Sequence, residues 1–77
     1  NPFNPSTMIK FALPEAGQVT LKIYDAIGKE VALLVNESKD AGVHVVNWNG
    51  KSFASGIYFY SLEVNNFKMV KKMLLVK

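Results

Sequence analysis

The chain has no cysteine and no arginine. Without thiols it can build neither a disulfide framework nor a thiolate metal site, and its composition carries no mark of redox compartment. Without guanidinium groups it lacks the planar fork that grips phosphates and guanines, so any positive field rests on lysine alone. Long apolar runs are also missing. No stretch approaches the roughly 20 residues needed for a helix to span a bilayer. Histidine and tryptophan occur once each, as His44 and Trp48. The sequence opens on Asn1-Pro2, with no initiator methionine and no signal peptide, and reads as a piece cut from a longer polypeptide, so the missing N-terminal signal says nothing about where the parent goes.

What is present describes a small globular domain. Of its 77 residues, 49% are apolar and 19% charged. A chain this short buries only about 60% of the surface exposed when unfolded, so its stability is modest. Nine lysines against six acids give a net charge of +3. Lys68, Lys71, Lys72 and Lys77 crowd into the last ten residues, the pattern of a final strand with a solubilising edge. No repeat, linker or low-complexity tract divides the chain, which reads as one domain over residues 1–77. Residues 1–6 form an irregular lead-in, because Pro2 and Pro5 remove donors and restrict their neighbours.

Period-two alternation recurs throughout, and no segment carries a helical stripe of useful length. Ile9, Phe11 and Leu13 alternate with Met8, Lys10 and Ala12. After the turn Pro14 to Gly17, Val19, Leu21 and Ile23 alternate with Thr20, Lys22 and Tyr24. Ala26 to Lys29 is a turn. The run Val31 to Val35 does not alternate; its brevity and terminal valines favour a fully buried strand over a turn of helix. Asn36 to Gly42 reads as a polar loop. His44, Val46 and Trp48 then share one face of a strand, and Asn49-Gly50 reads as a turn whose two residues can both take positive φ. Ile57 to Val64 is the longest β-prone stretch, and Asn65-Asn66 folds Phe67 to Val76 back against it as a tight hairpin. Six or seven strands on short connections predict an all-β fold, a small immunoglobulin-like antiparallel β-sandwich.

Chemistry is sparse. His44 lies in register with Val46 and Trp48 and reads as a packed, hydrogen-bonded residue, since a metal site needs three or four donors. Glu15, Asp25, Glu30, Glu37, Asp40 and Glu63 are scattered near turns with no spacing along the chain that pairs carboxylates for glycoside hydrolysis, which leaves only contacts across strands open. Neither a nucleophile elbow nor a glycine-rich phosphate loop appears. No catalytic residue, metal or cofactor is therefore expected. Trp48, Tyr58, Phe59 and Tyr60 offer the material of a sugar-stacking platform, but a domain this small needs Trp48 and one face of that strand for its core. Phe59 and Tyr24 are left as candidate exposed rings.

The sequence ends on Lys71-Lys72-Met73-Leu74-Leu75-Val76-Lys77, an apolar run of four between lysines. An end with so much apolar surface is packed as a strand, read by a partner, or both. Together with Asn1 to Thr7, Val19 to Asp25, Ile27 to Val31, Gly42 to Trp48 and Ala54 to Tyr60, this ending resembles the type A C-terminal sorting domain of the type IX (Por) secretion system. The likeness covers essentially all 77 residues, although the loop from Asn49 to Ala54 is shorter than in many relatives.

The resemblance implies a non-catalytic domain that directs a secreted passenger, joined on its N-terminal side and often a hydrolase, through the periplasm and across the outer membrane. It implies outer-membrane translocon and sortase components as partners, and a secreted or cell-surface destination. It also implies that Lys72, Met73, Leu74, Leu75, Val76 and Lys77 form the terminal recognition motif, and that Gly28, Lys29 and Glu30 match an inner motif. The rival reading is a carbohydrate-binding or spacer β-sandwich beside a glycoside hydrolase. A third is a plain interaction domain resembling the immunoglobulin-like part of flagellar hook-capping proteins.

Overall fold

The computed structural model describes residues 6–76, and these form six β-strands in two antiparallel sheets. In chain order the strands are β1 (Ser6–Leu13), β2 (Gly17–Asp25), β3 (Glu30–Lys39), β4 (Gly42–Asn49), β5 (Gly56–Val64) and β6 (Phe67–Leu75). β1 and β4 pair as a two-stranded sheet that packs on a four-stranded sheet of order β3-β2-β5-β6. The lead-in predicted over residues 1–6 ends sooner than expected, because Ser6 already pairs with Asn49 in the β1–β4 ladder. Residues 1–5 of that expectation lie outside the described residues.

Alternation decides which face of each strand is buried. Ile9, Phe11 and Leu13 of β1 turn inward to meet Val19, Leu21 and Ile23 of β2, while Tyr58, Leu62 and Val64 of β5 complete the centre. Val19, Leu21 and Ile23 are fully buried, and each such side chain contributes about 1.5–3 kcal/mol relative to exposure. Trp48 closes one end of this core. Its ring centroid lies 5.4 Å from Phe53 and 5.3 Å from Tyr58, whose hydroxyl donates to the Ala54 carbonyl at 2.6 Å. His44 behaves as a packed residue: its ring lies 5.5 Å from Phe11, and Nε2 is 2.8 Å from the Asp40 carbonyl.

Three local expectations are corrected. The run Val31 to Val35 is a strand, but it is not fully buried: Leu33 is exposed and only Val35 is in the core. The β2–β3 ladder shifts register between Leu21 and Lys22 and again between Ile23 and Tyr24, so Val31 and Leu34 have no opposite partner and inside-outside alternation is lost. Second, Asn36 to Lys39 continue β3 and pair with Thr20 to Gly17, leaving only Asp40-Ala41 between β3 and β4. An edge strand with one solvated face accepts such polar residues. Third, Asn49 ends β4 and the turn runs from Gly50 to Phe53, whose N–H donates to the Gly50 carbonyl at 3.0 Å, and the positive φ open to Asn49 and Gly50 is not used. Gly50 serves close approach instead: a Cβ there would stand 2.7 Å from Cδ1 of Leu75.

Trp48→Ala is expected to cost about 3–5 kcal/mol, a large part of the stability of so small a domain. Urea unfolding followed by circular dichroism checks this. An unchanged midpoint would mean that the ring is not part of the core.

Candidate recognition surface

β6 owes its place to the hairpin before it. Asn65 sits at φ 54°, a left-handed conformation that asparagine tolerates, and Val64 pairs directly with Phe67. From there the register is unbroken to Gly56 opposite Leu75. Met69, Met73 and Leu75 turn toward the core, whereas Lys68, Val70, Lys72 and Leu74 turn outward. Lys71 occupies an inward position yet is exposed. A charge in that position at a sheet edge discourages edge-to-edge pairing between copies. Among the described residues β6 is such an edge, because it pairs only with β5.

The terminal motif is therefore split by its own alternation. Leu75 is buried and lies under Gly50, Met73 is half-buried, and Lys72 and Leu74 project outward, Leu74 with 68% of its surface exposed. Val76 is exposed just beyond the strand, and Lys77 lies outside the described residues.

The inner motif lies in the β2–β3 turn, which Asp25 organises. Its Oδ1 accepts from the backbone N–H of Ile27 at 3.1 Å and of Lys29 at 2.9 Å. Its backbone N–H donates to the Lys29 carbonyl, and its carbonyl accepts from Gly28 N–H. Gly28 takes φ 90°, which a side chain would strain. Glu30 opens β3, its carboxylate 3.5 Å from Lys22 Nζ.

Although 41 residues separate the two motifs in sequence, strand pairing brings them to the same end of the four-stranded sheet. Glu30 faces Tyr24, Tyr24 faces Phe59 and Phe59 faces Lys72, so one cross-strand row runs from the inner to the terminal motif. At ordinary strand spacing the row is about 14 Å long. Ile57 and Leu74 form the next pair on this outer face, nearer the turn. One row the other way, Ser61 stands between Lys22 and Val70, outward in register yet buried, and its hydroxyl has no hydrogen-bond partner.

Sequence reasoning identified Tyr24 and Phe59 as exposed rings, and both are half-buried on this face. It missed Ile27 and Ile57. Ile27 is 89% exposed at the tip of the Asp25 turn, where an isoleucine gains nothing from folding. That apolar residue inside a Gly-containing turn was the available signal. A shallow hollow of about 270 Å³ lies beside it, between Asp25 to Ile27 and Ser55 to Tyr58. A larger one, about 610 Å³, opens at the opposite end between the β1–β2 turn and the β5–β6 hairpin, lined by Leu13, Leu62, Val64 and Phe67, and touches neither motif.

Other polar groups do not converge. Among the described residues, no cluster of three or more His, Asp or Glu side chains is placed to hold a metal ion. Glu37 is held below the ordinary carboxylate range by the hydrogen bond from Lys39 and then by its charge, at the far end of β3. Trp48 and Tyr58 pack inside and offer no ring to a sugar. The distinguishing feature of this β-domain is an exposed face that joins the two candidate motif segments.

The family model for the secretion system C-terminal sorting domain matches residues 1–77, and the chain belongs to that family. It is thus a sorting and export domain of the Por, or type IX, secretion system, and secretion to the cell exterior or surface follows from that membership. No match was found among curated proteins or among solved structures.

Asp25→Ala is expected to destabilise the domain by about 1 kcal/mol and to speed hydrogen exchange at the Ile27 and Lys29 amides, while Asp25→Asn keeps an acceptor and preserves most protection. Amide exchange measured by NMR checks this. Equal exchange in all three proteins would show that the side chain does not hold the turn.

Proposed function

We propose that this sorting domain is an immunoglobulin-like sandwich that works by being recognised, with β6 as the recognised element. The passenger on its N-terminal side reaches the periplasm by its own signal, and outer-membrane translocon and sortase components then read the terminal strand. One observation carries this: β6 is an edge strand whose inward residues anchor it in the core while Lys72 and Leu74 face solvent. A strand held in that way presents an open main-chain edge for hydrogen bonding and alternate side chains for selectivity. Lys29 and Glu30, at the same sheet end, belong to the display and take no part in any chemical step.

The test uses a fluorescent passenger fused behind a signal peptide and ahead of the full 77-residue chain, in a host with the secretion system. The intact domain should deliver cargo to the surface or medium, and removal of residues 74–77 should leave it in the periplasm. Because truncation also removes the buried Leu75, Leu74→Asn serves as a companion that keeps the core anchor. It should reduce delivery while the purified domain keeps its circular dichroism spectrum. Export of both variants at the parent level would return the last strand to core packing alone.

A further inference from the structure

The terminal and inner motifs share a sheet end, and the surface between them is neither polar nor empty. Its outer face carries Ile57 and Leu74 as a directly opposed exposed pair, with the half-buried rings of Tyr24 and Phe59 in the adjoining row. Ile27 projects from the turn beside this patch, almost wholly exposed, and the 270 Å³ hollow lies between its turn and the first residues of β5. Asp25 fixes that turn with two side-chain and two backbone hydrogen bonds, so Ile27 is held in place rather than left on a slack loop. Exposing an ordered isoleucine forgoes the burial free energy of its side chain. A contiguous exposed apolar patch with polar edges is the ordinary mark of an interaction site.

The charges around the patch indicate what covers it. The Asp25 carboxylate already accepts two N–H groups, and Glu30 is paired with Lys22. Lys29 on one side and Lys72 on the other are exposed and have no ion-pair partner among the described residues. The rim is therefore positive on both sides of an apolar centre. A second copy of the chain would bring lysine against lysine and is disfavoured.

We infer that the two motifs are read together as one composite surface, in which Ile27, Ile57 and Leu74 enter an apolar cleft of a protein receptor whose rim carries carboxylates opposite Lys29 and Lys72. This rests on the reading of the domain as a sorting signal and adds contact residues that lie outside both motifs. Selectivity then comes from the spacing between turn and edge strand, about two strand widths or 10 Å, which a short terminal peptide cannot reproduce.

The experiment uses the same fusion with four changes made separately: Ile27→Asn, Lys29→Glu, removal of residues 74–77, and Val45→Thr on the outer face of the other sheet as a control. Melting temperatures of the purified domains are measured alongside. Ile27→Asn should lower surface delivery at least tenfold with no shift in melting temperature, Lys29→Glu should lower it severalfold, and Val45→Thr should leave it unchanged. If Ile27→Asn exports within twofold of the parent while the truncation fails, the composite surface is wrong and the sorting reading stands. If the truncation exports normally, the sorting reading itself fails. If the purified domain binds phosphatidylglycerol vesicles and Ile27→Asn abolishes that binding, lipid is the occupant and the receptor cleft is overturned.

Discussion

The structure depends on β5 being paired on both sides. Against β2 it sets Tyr58 opposite Asp25 and Val64 opposite Val19; against β6 it sets Gly56 opposite Leu75 and Val64 opposite Phe67. Those two registers decide which residues of the last strand face inward and which outward. A one-residue slip would turn Leu75 and Met73 out and carry Lys72 and Leu74 in. The Asn65-Asn66 hairpin guards against that slip, because a two-residue connection leaves little freedom in where pairing begins. β5 also supplies Tyr58 to the Trp48 cluster, tying the register to the core.

A small sandwich has little core to spare, and under the proposal this one gives its last strand two roles. Leu75, beneath Gly50, fastens the strand end, and the alternate positions Lys72 and Leu74 stay exposed, the positions proposed to be read. Lysines along β6 suit both roles. They blunt an open edge against pairing with copies of itself, and under the proposal they would face a partner of opposite charge. Recognition need not unfold anything on this account, since the surface is complete in the folded sheet.

Much of the fold was legible because period-two alternation is strong wherever one face meets the core. β1, β2, β4 and the β5–β6 hairpin follow from Ile9 to Leu13, Val19 to Ile23, His44 to Trp48 and the Asn65-Asn66 pair. β3 was less legible. Two register shifts against β2 erase its alternation, and its polar second half reads as loop although its backbone pairs fully with β2. Gly50 was misread for a different reason: glycine suits positive φ and close contact equally, and only the distant Leu75 shows which applies. The two candidate motif segments stand out in the sequence as separate blocks. Their convergence does not, since the row from Glu30 to Lys72 crosses four strands and exists only once the sheet order is known. Ile27 carried a signal of its own, an isoleucine in a turn, which stays ambiguous until exposure separates a displayed residue from a folded-over one.

The central claim is that the terminal strand is read in place, as an edge of the folded sheet. Ser61 and Val70 face each other across β5 and β6, and opposed residues in antiparallel strands have Cα atoms about 4.5–5.5 Å apart, within disulfide reach. Replacing both with cysteine and oxidising the pair would lock β6 to β5 without touching Lys72, Leu74 or the Asp25 turn. The decisive measurement is delivery of a fused passenger by this locked domain, with disulfide formation verified by thiol labelling. Export equal to that of the parent is the predicted result; retention of the oxidised protein in the periplasm, relieved when either cysteine is restored, would show that the strand must leave the sheet to be recognised.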